Sequence, residues 1–280
     1  MKKLVSLLVA ALLVLSAFSL ALADDKTTIV IGATPSPHRE VLELIADDLA
    51  ELGYTLEIIE FTEYPLPNPA LADKQLDANY FQHLPYLNAY NDTVADAEKL
   101  VAAIPVHYEP YGIYAGKTAS LEDLKDGAVI AVTNDPSNET RALLLLQEAG
   151  LITLPEDAGT DSSLTVLDIV DNPKNLDIRE VNAELIPSML EDVDLGVING
   201  NYAIGAGLKP SEDAIYLEAA DGDSGVIYTN YVVVRPEDAE AEWVEALRSV
   251  LQSKKVSDFM LNNEDYAGGV IPAFTVEDAE

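Results

Sequence analysis

The 280-residue chain contains no cysteine. Disulfides, thiolate metal sites and a cysteine nucleophile are thereby excluded, as is a tether through a lipid-modified N-terminal cysteine. Basic residues are scarce, 16 against 49 acidic ones, for a formal net charge of −33. Nucleic acid and anionic membrane surfaces are poor partners for such a chain, and the dispersed acidic residues read as solvated helix faces. No Gly-rich phosphate loop is present. Gly205-Ala206-Gly207 supplies two glycines of a dinucleotide fingerprint, but Pro210 stands where the third belongs. HExxH, CxxC and GxSxG are missing as well, so the sequence predicts no cofactor and no metal. One apolar run lies at the N-terminus and no second one follows.

That run reads as an export signal over residues 1–23. Lys2 and Lys3 give the positive start, Leu4 to Leu20 is nearly all apolar, and Ala21-Leu22-Ala23 is a small-x-small cleavage site. Ser6, Ser16 and Ser19 interrupt the run, which favours cleavage over a retained anchor. The mature chain is expected to start at Asp24. It is expected to be exported, periplasmic or extracellular, non-lipidated, and held at a membrane only through a partner. Without disulfides its core alone must hold it together.

Strand and helix patterns alternate along the mature chain. Thr27 to Gly32 is a short β-rich run. A helix follows with Val41, Leu42, Ile45, Leu49 and Leu52 at helical spacing, stopped by Gly53, and Leu56 to Phe61 is a second strand. This β-α-β unit implies a parallel pair. Leu71 to Ala78 reads as a short helix entering another strand. Leu100 to Tyr114 holds two β-rich runs divided near Glu109-Pro110. Leu121 to Gly127 reads as a short helix, and Ala128 to Val132 as a strand. Further strands are expected at Leu164 to Val170, Leu176 to Val181, Leu195 to Ile198 and Tyr228 to Arg235, with a helix at Leu185 to Leu190. The tail helices carry Trp243 at core spacing, which marks it as packing. The alternation argues for α/β architecture.

The most informative segment is Asn134-Asp135-Pro136-Ser137-Asn138-Glu139-Thr140-Arg141, followed by four leucines and closed by Gly150. Pro136 discourages helix at Asp135, which points to Ser137 or Asn138 as the N-cap. Arg141 then falls in the first turn, where a cation opposes the helix dipole at a modest cost. Free N–H groups, capping side chains and a guanidinium fork together suit a carboxylate. An exposed arginine or an internal salt bridge is the competing reading.

Several stretches read together carry a resemblance. They are Ala33-Thr34-Pro35-Ser36-Pro37-His38, Asp77-Ala78-Asn79-Tyr80-Phe81-Gln82-His83-Leu84-Pro85-Tyr86-Leu87, Glu109-Pro110-Tyr111-Gly112-Ile113-Tyr114, the Arg141 segment, Asp171-Asn172-Pro173-Lys174-Asn175-Leu176, Asp194-Leu195-Gly196-Val197-Ile198-Asn199-Gly200-Asn201-Tyr202-Ala203 and Val270-Ile271-Pro272-Ala273-Phe274. In this order they resemble the NlpA-type methionine-binding lipoproteins, the substrate-binding components of a methionine ABC importer. The resemblance covers essentially the whole mature chain. It implies a two-lobed type II periplasmic-binding-protein fold, each lobe a doubly wound α/β domain, with ligand in the cleft between lobes. It places the chain crossings near Tyr114 and Asn230, so that one lobe takes 24–114 and 230–280 and the other 115–229. The family's anchoring cysteine is missing here.

By the same resemblance Arg141 binds the carboxylate of an amino acid, with Asn138 one turn earlier adding an amide donor. Asn199 and Asn230 hold the head group, and Tyr64, Phe81, His83 and Tyr86 surround the side chain. A thioether packs well against aromatic edges, at about 0.3–1.5 kcal/mol per contact. His38 and His107 are left outside this set. The implied partners are methionine and a membrane permease of an ABC importer with its ATPase. A methionine-containing dipeptide, another amino acid, or a ligand-sensing receptor role are the alternatives. Catalysis is disfavoured because no acid–base pair stands out by spacing.

Overall fold

A computed structural model describes residues 27–219 and 223–276; the expected signal segment, 1–23, lies outside the described residues. The chain builds two sheets. In the first, β1 (Thr28–Ala33), β2 (Thr55–Glu60) and β3 (Ala78–His83) are parallel, with Thr28 opposite Thr55 and Ile31 opposite Ala78. The linking segment folds as α1 (Glu40–Leu44) and α2 (Ala46–Glu51), and Gly53 follows at φ 91°, a left-handed position that suits glycine. Helix α3 (Pro67–Ala72) precedes β3, and α4 (Leu84–Thr93) follows it directly. Strand β4 (Val101–Tyr108) belongs to the same sheet.

The second sheet takes β5 (Gly112–Ala115), β6 (Val129–Thr133), β7 (Asp177–Val181), β8 (Leu195–Ile198) and β9 (Ala214–Leu217) in the order β7-β6-β8-β5-β9. Its helices include α5 (Pro136–Glu148), α6 (Ile186–Met189) and α7 (Gly200–Gly205). The chain then returns: β10 (Thr229–Val234) enters the first sheet between β3 and β4, antiparallel to both. Helices α8 (Glu242–Leu251) and α9 (Lys254–Asn262) pack on that sheet, and β11 (Ile271–Pro272) completes it beside β4. Each sheet with its helices is one lobe of a mixed α/β, two-lobed architecture.

Each lobe has its own core. Ile29, Ile31, Val41, Leu42, Ile45 and Leu49 pack with Trp243, Val244, Leu247 and Leu251, so Trp243 is core, as its spacing predicts. Full burial of each such side chain contributes about 1.5–3 kcal/mol. In the second lobe Leu143, Leu145 and Leu146 of α5 pack against Ile130, Val132, Leu195 and Val197. A separate, small cluster of Tyr64, Phe81 and Ala183, flanked by Tyr86 and Tyr202, joins the two lobes.

Strand β5 pairs with β8 and β9 in the second sheet while Thr229 pairs with Tyr108 in the first, so the chain's two crossings between the sheets fall between Tyr108 and Gly112 and between Leu217 and Thr229. Residues 112–114 therefore sit with the second lobe and Thr229 with the first. Pro110, which lacks an N–H, stands in the connection between β4 of the first sheet and β5 of the second. Two expectations are corrected. Leu121 to Gly127 is not a helix. A run this short nucleates poorly, and it is instead fastened to the neighbouring loop by Gly127 N–H to Lys174 O, 2.8 Å, and Lys174 Nζ to Leu124 O, 2.7 Å. Leu164 to Val170 is not a strand either. Thr165 and Asp168 form a capping box around a 3₁₀ turn at Val166–Asp168, which leaves Leu167 90% exposed.

Candidate functional site

Strand β3 is buried along its whole length, and its last residue is also the cap of α4. His83 Nδ1 accepts from Tyr86 N–H at 3.2 Å, which sets the first turn of α4 and turns Tyr86 toward Phe81, ring centroids 5.6 Å apart in an edge-on pair. Tyr64 packs on both, at 5.9 Å from Phe81 and 5.7 Å from Tyr86, and Tyr202 of the other lobe reaches it at 4.8 Å. The result is an aromatic wall spanning the lobe junction.

Helix α5 faces this wall. Its N-cap is Asp135, two to three residues before the sequence expectation: Asp135 Oδ1 accepts from Asn138 N–H at 3.0 Å, and Pro136 is helical. Proline at the first helical position forfeits only an N–H that has no helical partner, so it opens the helix instead of delaying it. Gly150 ends the helix at φ 74°, as expected. Asp135 Oδ1 also accepts from Asn138 Nδ2 at 2.9 Å. That orientation leaves Asn138 Oδ1 as an acceptor, which it uses twice, for Asn199 Nδ2 and His83 Nε2, both at 3.0 Å. The network assigns His83 the neutral Nε2–H tautomer, with both nitrogens engaged. Burial, reinforced by the charge of Arg141, lowers its pKa to about 3.

Arg141 is 5% exposed and does not point to solvent. Its Nε donates to Glu218 Oε1 at 3.2 Å, and its Nη2 donates to Glu218 Oε2 and to Glu109 O, the latter at 2.8 Å. Tyr228, Tyr111 and Tyr108 surround the guanidinium with ring centroids 4.0, 5.0 and 5.7 Å from Cζ. Burial opposes the charge of both partners, and their mutual attraction overcomes it, raising Arg141 and lowering Glu218. The three N–H groups on Nε and Nη2 are committed to protein. The two on Nη1 remain for another acceptor.

The end of β8 and the start of α7 form the opposite wall. Asn199 donates through Nδ2, while its Oδ1 is buried with no hydrogen-bond partner. Asn201 N–H donates to Glu109 Oε2 at 2.7 Å. Gly200 is required here, since a Cβ would lie 2.6 Å from Glu109 Cβ. Asn230, on β10, sits opposite His83 and His107 in the sheet register. Its Oδ1 accepts from His38 Nε2 at 3.2 Å, which leaves Nδ2 as its donor. His38 Nδ1 in turn meets Thr34 Oγ1 at 2.8 Å, and His107 lies between Tyr80 and Glu109, its Nε2 2.7 Å from Oε1. Burial lowers the pKa of His38 to about 4, partly offset by the charge of Glu109, and burial lowers that of His107 to about 3. Glu109 is raised, chiefly by burial. His38, His107 and Glu109 offer ligand atoms within 4.8 Å of one another, but every ring nitrogen and both carboxylate oxygens are already hydrogen-bonded to protein. The cluster reads as a proton-satisfied network.

All eight residues named from the sequence, Tyr64, Phe81, His83, Tyr86, Asn138, Arg141, Asn199 and Asn230, line one small cavity between the lobes. Gln82, Glu109, Gly200 and Asn201 complete it. Sequence reasoning missed these four. Gln82, Gly200 and Asn201 lay inside quoted stretches beside residues that were named, and adjacency was the available signal. It also missed Glu218, which carries no local signal at all.

Residues 29–274 match the family described as NlpA lipoprotein. The chain is similar to the methionine-binding lipoprotein MetQ of Bacillus subtilis (strain 168), 42% identical over 251 residues that cover 89% of each chain. It is similar to the D-methionine-binding lipoprotein MetQ of Escherichia coli (strain K12), 39% identical over 248 residues, 88% of this chain and 87% of that one. Among solved structures, a nutrient binding protein from Burkholderia cenocepacia bound to methionine matches with a TM-score of 0.82 at 42% identity, covering 88% of this chain and all of that one. These names correct one expectation. The relatives are called lipoproteins, a membrane-anchored, lipidated class, so the non-lipidated reading does not stand. That reading let the absence of one attachment chemistry, the thiol, decide how the protein is held.

Proposed function

The chain belongs to the NlpA lipoprotein family, and from that premise we propose that it is the extracytoplasmic substrate-binding protein of an ABC importer. It holds L-methionine or a close analogue between its lobes and delivers it to the permease. One observation carries the reading at the level of atoms: the unpaired Asn199 Oδ1 lines the same cavity as Arg141. A buried acceptor without a partner is costly, and an α-ammonium satisfies it. Arg141 Nη1 and Asn230 Nδ2 are donors for the carboxylate, and the wall of Tyr64, Phe81 and Tyr86 suits a thioether. The relatives are binding proteins. A catalytic role is further disfavoured by the engagement of both His83 nitrogens, which leaves that imidazole no free base.

Calorimetric titration of ligand-stripped protein with L-methionine, D-methionine, methionine dipeptides and leucine tests the reading. Saturable binding of a methionine compound is expected, and Asn199→Leu and Arg141→Lys are each expected to weaken it. For Arg141→Lys the loss is about 2–5 kcal/mol, because the ammonium keeps charge but cannot reproduce the planar fork. Absence of binding to every methionine compound overturns the assignment.

A further inference from the structure

Arg141 stands on α5 of the second lobe, yet what holds its guanidinium comes from the two crossings between lobes. Glu109 O, Tyr108 and Tyr111 belong to the first crossing or its edge, and Glu218 and Tyr228 to the second. Glu218 is the junction of these contacts. One carboxylate engages Nε and Nη2 of Arg141, accepts from Tyr108 O–H at 2.6 Å, and accepts from Tyr111 N–H at 3.2 Å. Its own backbone N–H donates to Tyr111 O at 2.8 Å. The fork-on-fork pairing fixes the plane of the guanidinium and turns the Nη1 edge away from Glu218.

We propose that Glu218 is a positioning residue that ties the hinge to ligand capture, by clamping Arg141 so that its Nη1 edge meets the ligand carboxylate only while both crossings are in register. This rests on the reading of Arg141 as the carboxylate site. It has a consequence opposite to simple charge competition. If Glu218 merely competed with the ligand for Arg141, neutralising it would tighten binding. A clamp predicts the reverse, because a glutamine offers one acceptor where the carboxylate offers two, and the guanidinium then turns.

Two measurements decide the matter. The first needs no ligand: the Arg141 Nε–H signal in ¹⁵N relaxation NMR is expected to be rigid in the wild-type protein and mobile in Glu218→Gln, with Tyr108→Phe intermediate as a milder variant that keeps the ion pair. The second is a double-mutant cycle by calorimetry with L-methionine. Glu218→Gln is expected to weaken binding at least tenfold, and to change it less than threefold in an Arg141→Lys background. Unchanged Nε mobility in both variants overturns the inference, as does tighter binding in Glu218→Gln or an equal loss in the Lys background. If wild-type protein binds no methionine compound, the functional reading fails, and the relaxation measurement still decides the role of Glu218. A failure of Glu218→Gln to fold leaves Tyr108→Phe to decide by the same two readouts.

Discussion

The chain has three histidines, and all three are buried with lowered pKa values, His38 to about 4 and His83 and His107 to about 3. Lowering the pH from 7 to 5 therefore leaves the native imidazoles neutral while the unfolded ones, near 6.5, take up protons. The sign follows: the histidine contribution is fully present above 6.5 and is lost as pH falls toward the native values. With a pKa near 6.5 in the unfolded chain, each histidine shifts the balance toward unfolding by about 2 kcal/mol between pH 7 and 5, or about 6 kcal/mol for three. The figure hardly depends on how far the native value is depressed, provided it stays well below 5. Glu109, Asp135 and Glu139 act in the opposite sense, because burial raises them, Glu139 to about 7 with help from Glu180. They take up protons in the native state first, so their contribution grows as pH falls. The total pH curve thus mixes two signs, and the assay must isolate the imidazoles. NMR of the ring C–H signals from pH 8 to 5 is expected to show no titration of any histidine. Urea unfolding of His83→Gln is expected to lose about 2 kcal/mol less than wild type over pH 7 to 5. A native imidazole with a midpoint near 6.5, or identical pH dependence in the two proteins, refutes the reasoning.

Gly200→Ala places a methyl group 2.6 Å from Glu109 Cβ and 3.0 Å from its Oε2. It is expected to destabilise the protein by about 1–3 kcal/mol in urea unfolding and to weaken methionine binding by displacing the Asn201–Glu109 contact. The cavity is about 20 Å³, room for about one water, and direct bonds such as His83 to Asn138 and Tyr202 O–H to Thr62 O (2.9 Å) close it across the lobes. Ligand entry therefore requires the lobes to part. Small-angle scattering is expected to give a smaller radius of gyration for loaded than for stripped protein, and equal values contradict a cleft that opens and closes.

Much of this was legible in the residues. The parallel β1–β2 pair followed from the Val41-to-Leu49 spacing, and the end of α5 from Gly150, because both are local. The eight cavity residues were found through a resemblance that preserved short stretches in order. What was not legible is nonlocal or depends on competition. Arg141 alone could not reveal Glu218, 77 positions away, as its partner. Leu164 to Val170 has strand composition, but the Thr165–Asp168 box offers the backbone nearer partners. At Asp135 the rule that proline repels helix from the preceding residue was right, and the error was to start counting the helix after the proline.

Strand β10 lies in the middle of the first sheet, between β3 and β4, yet it is made after the entire second lobe. A chain emerging from its N-terminus therefore carries β1 to β4 with two unpaired inner edges until residue 229 arrives. The first lobe cannot close early, and the last-made part of the polypeptide, from Thr229 onward, acts as its keystone. The strands made first thus stay incomplete while the second lobe is built, and they lock together only when β10 supplies the missing inner strand.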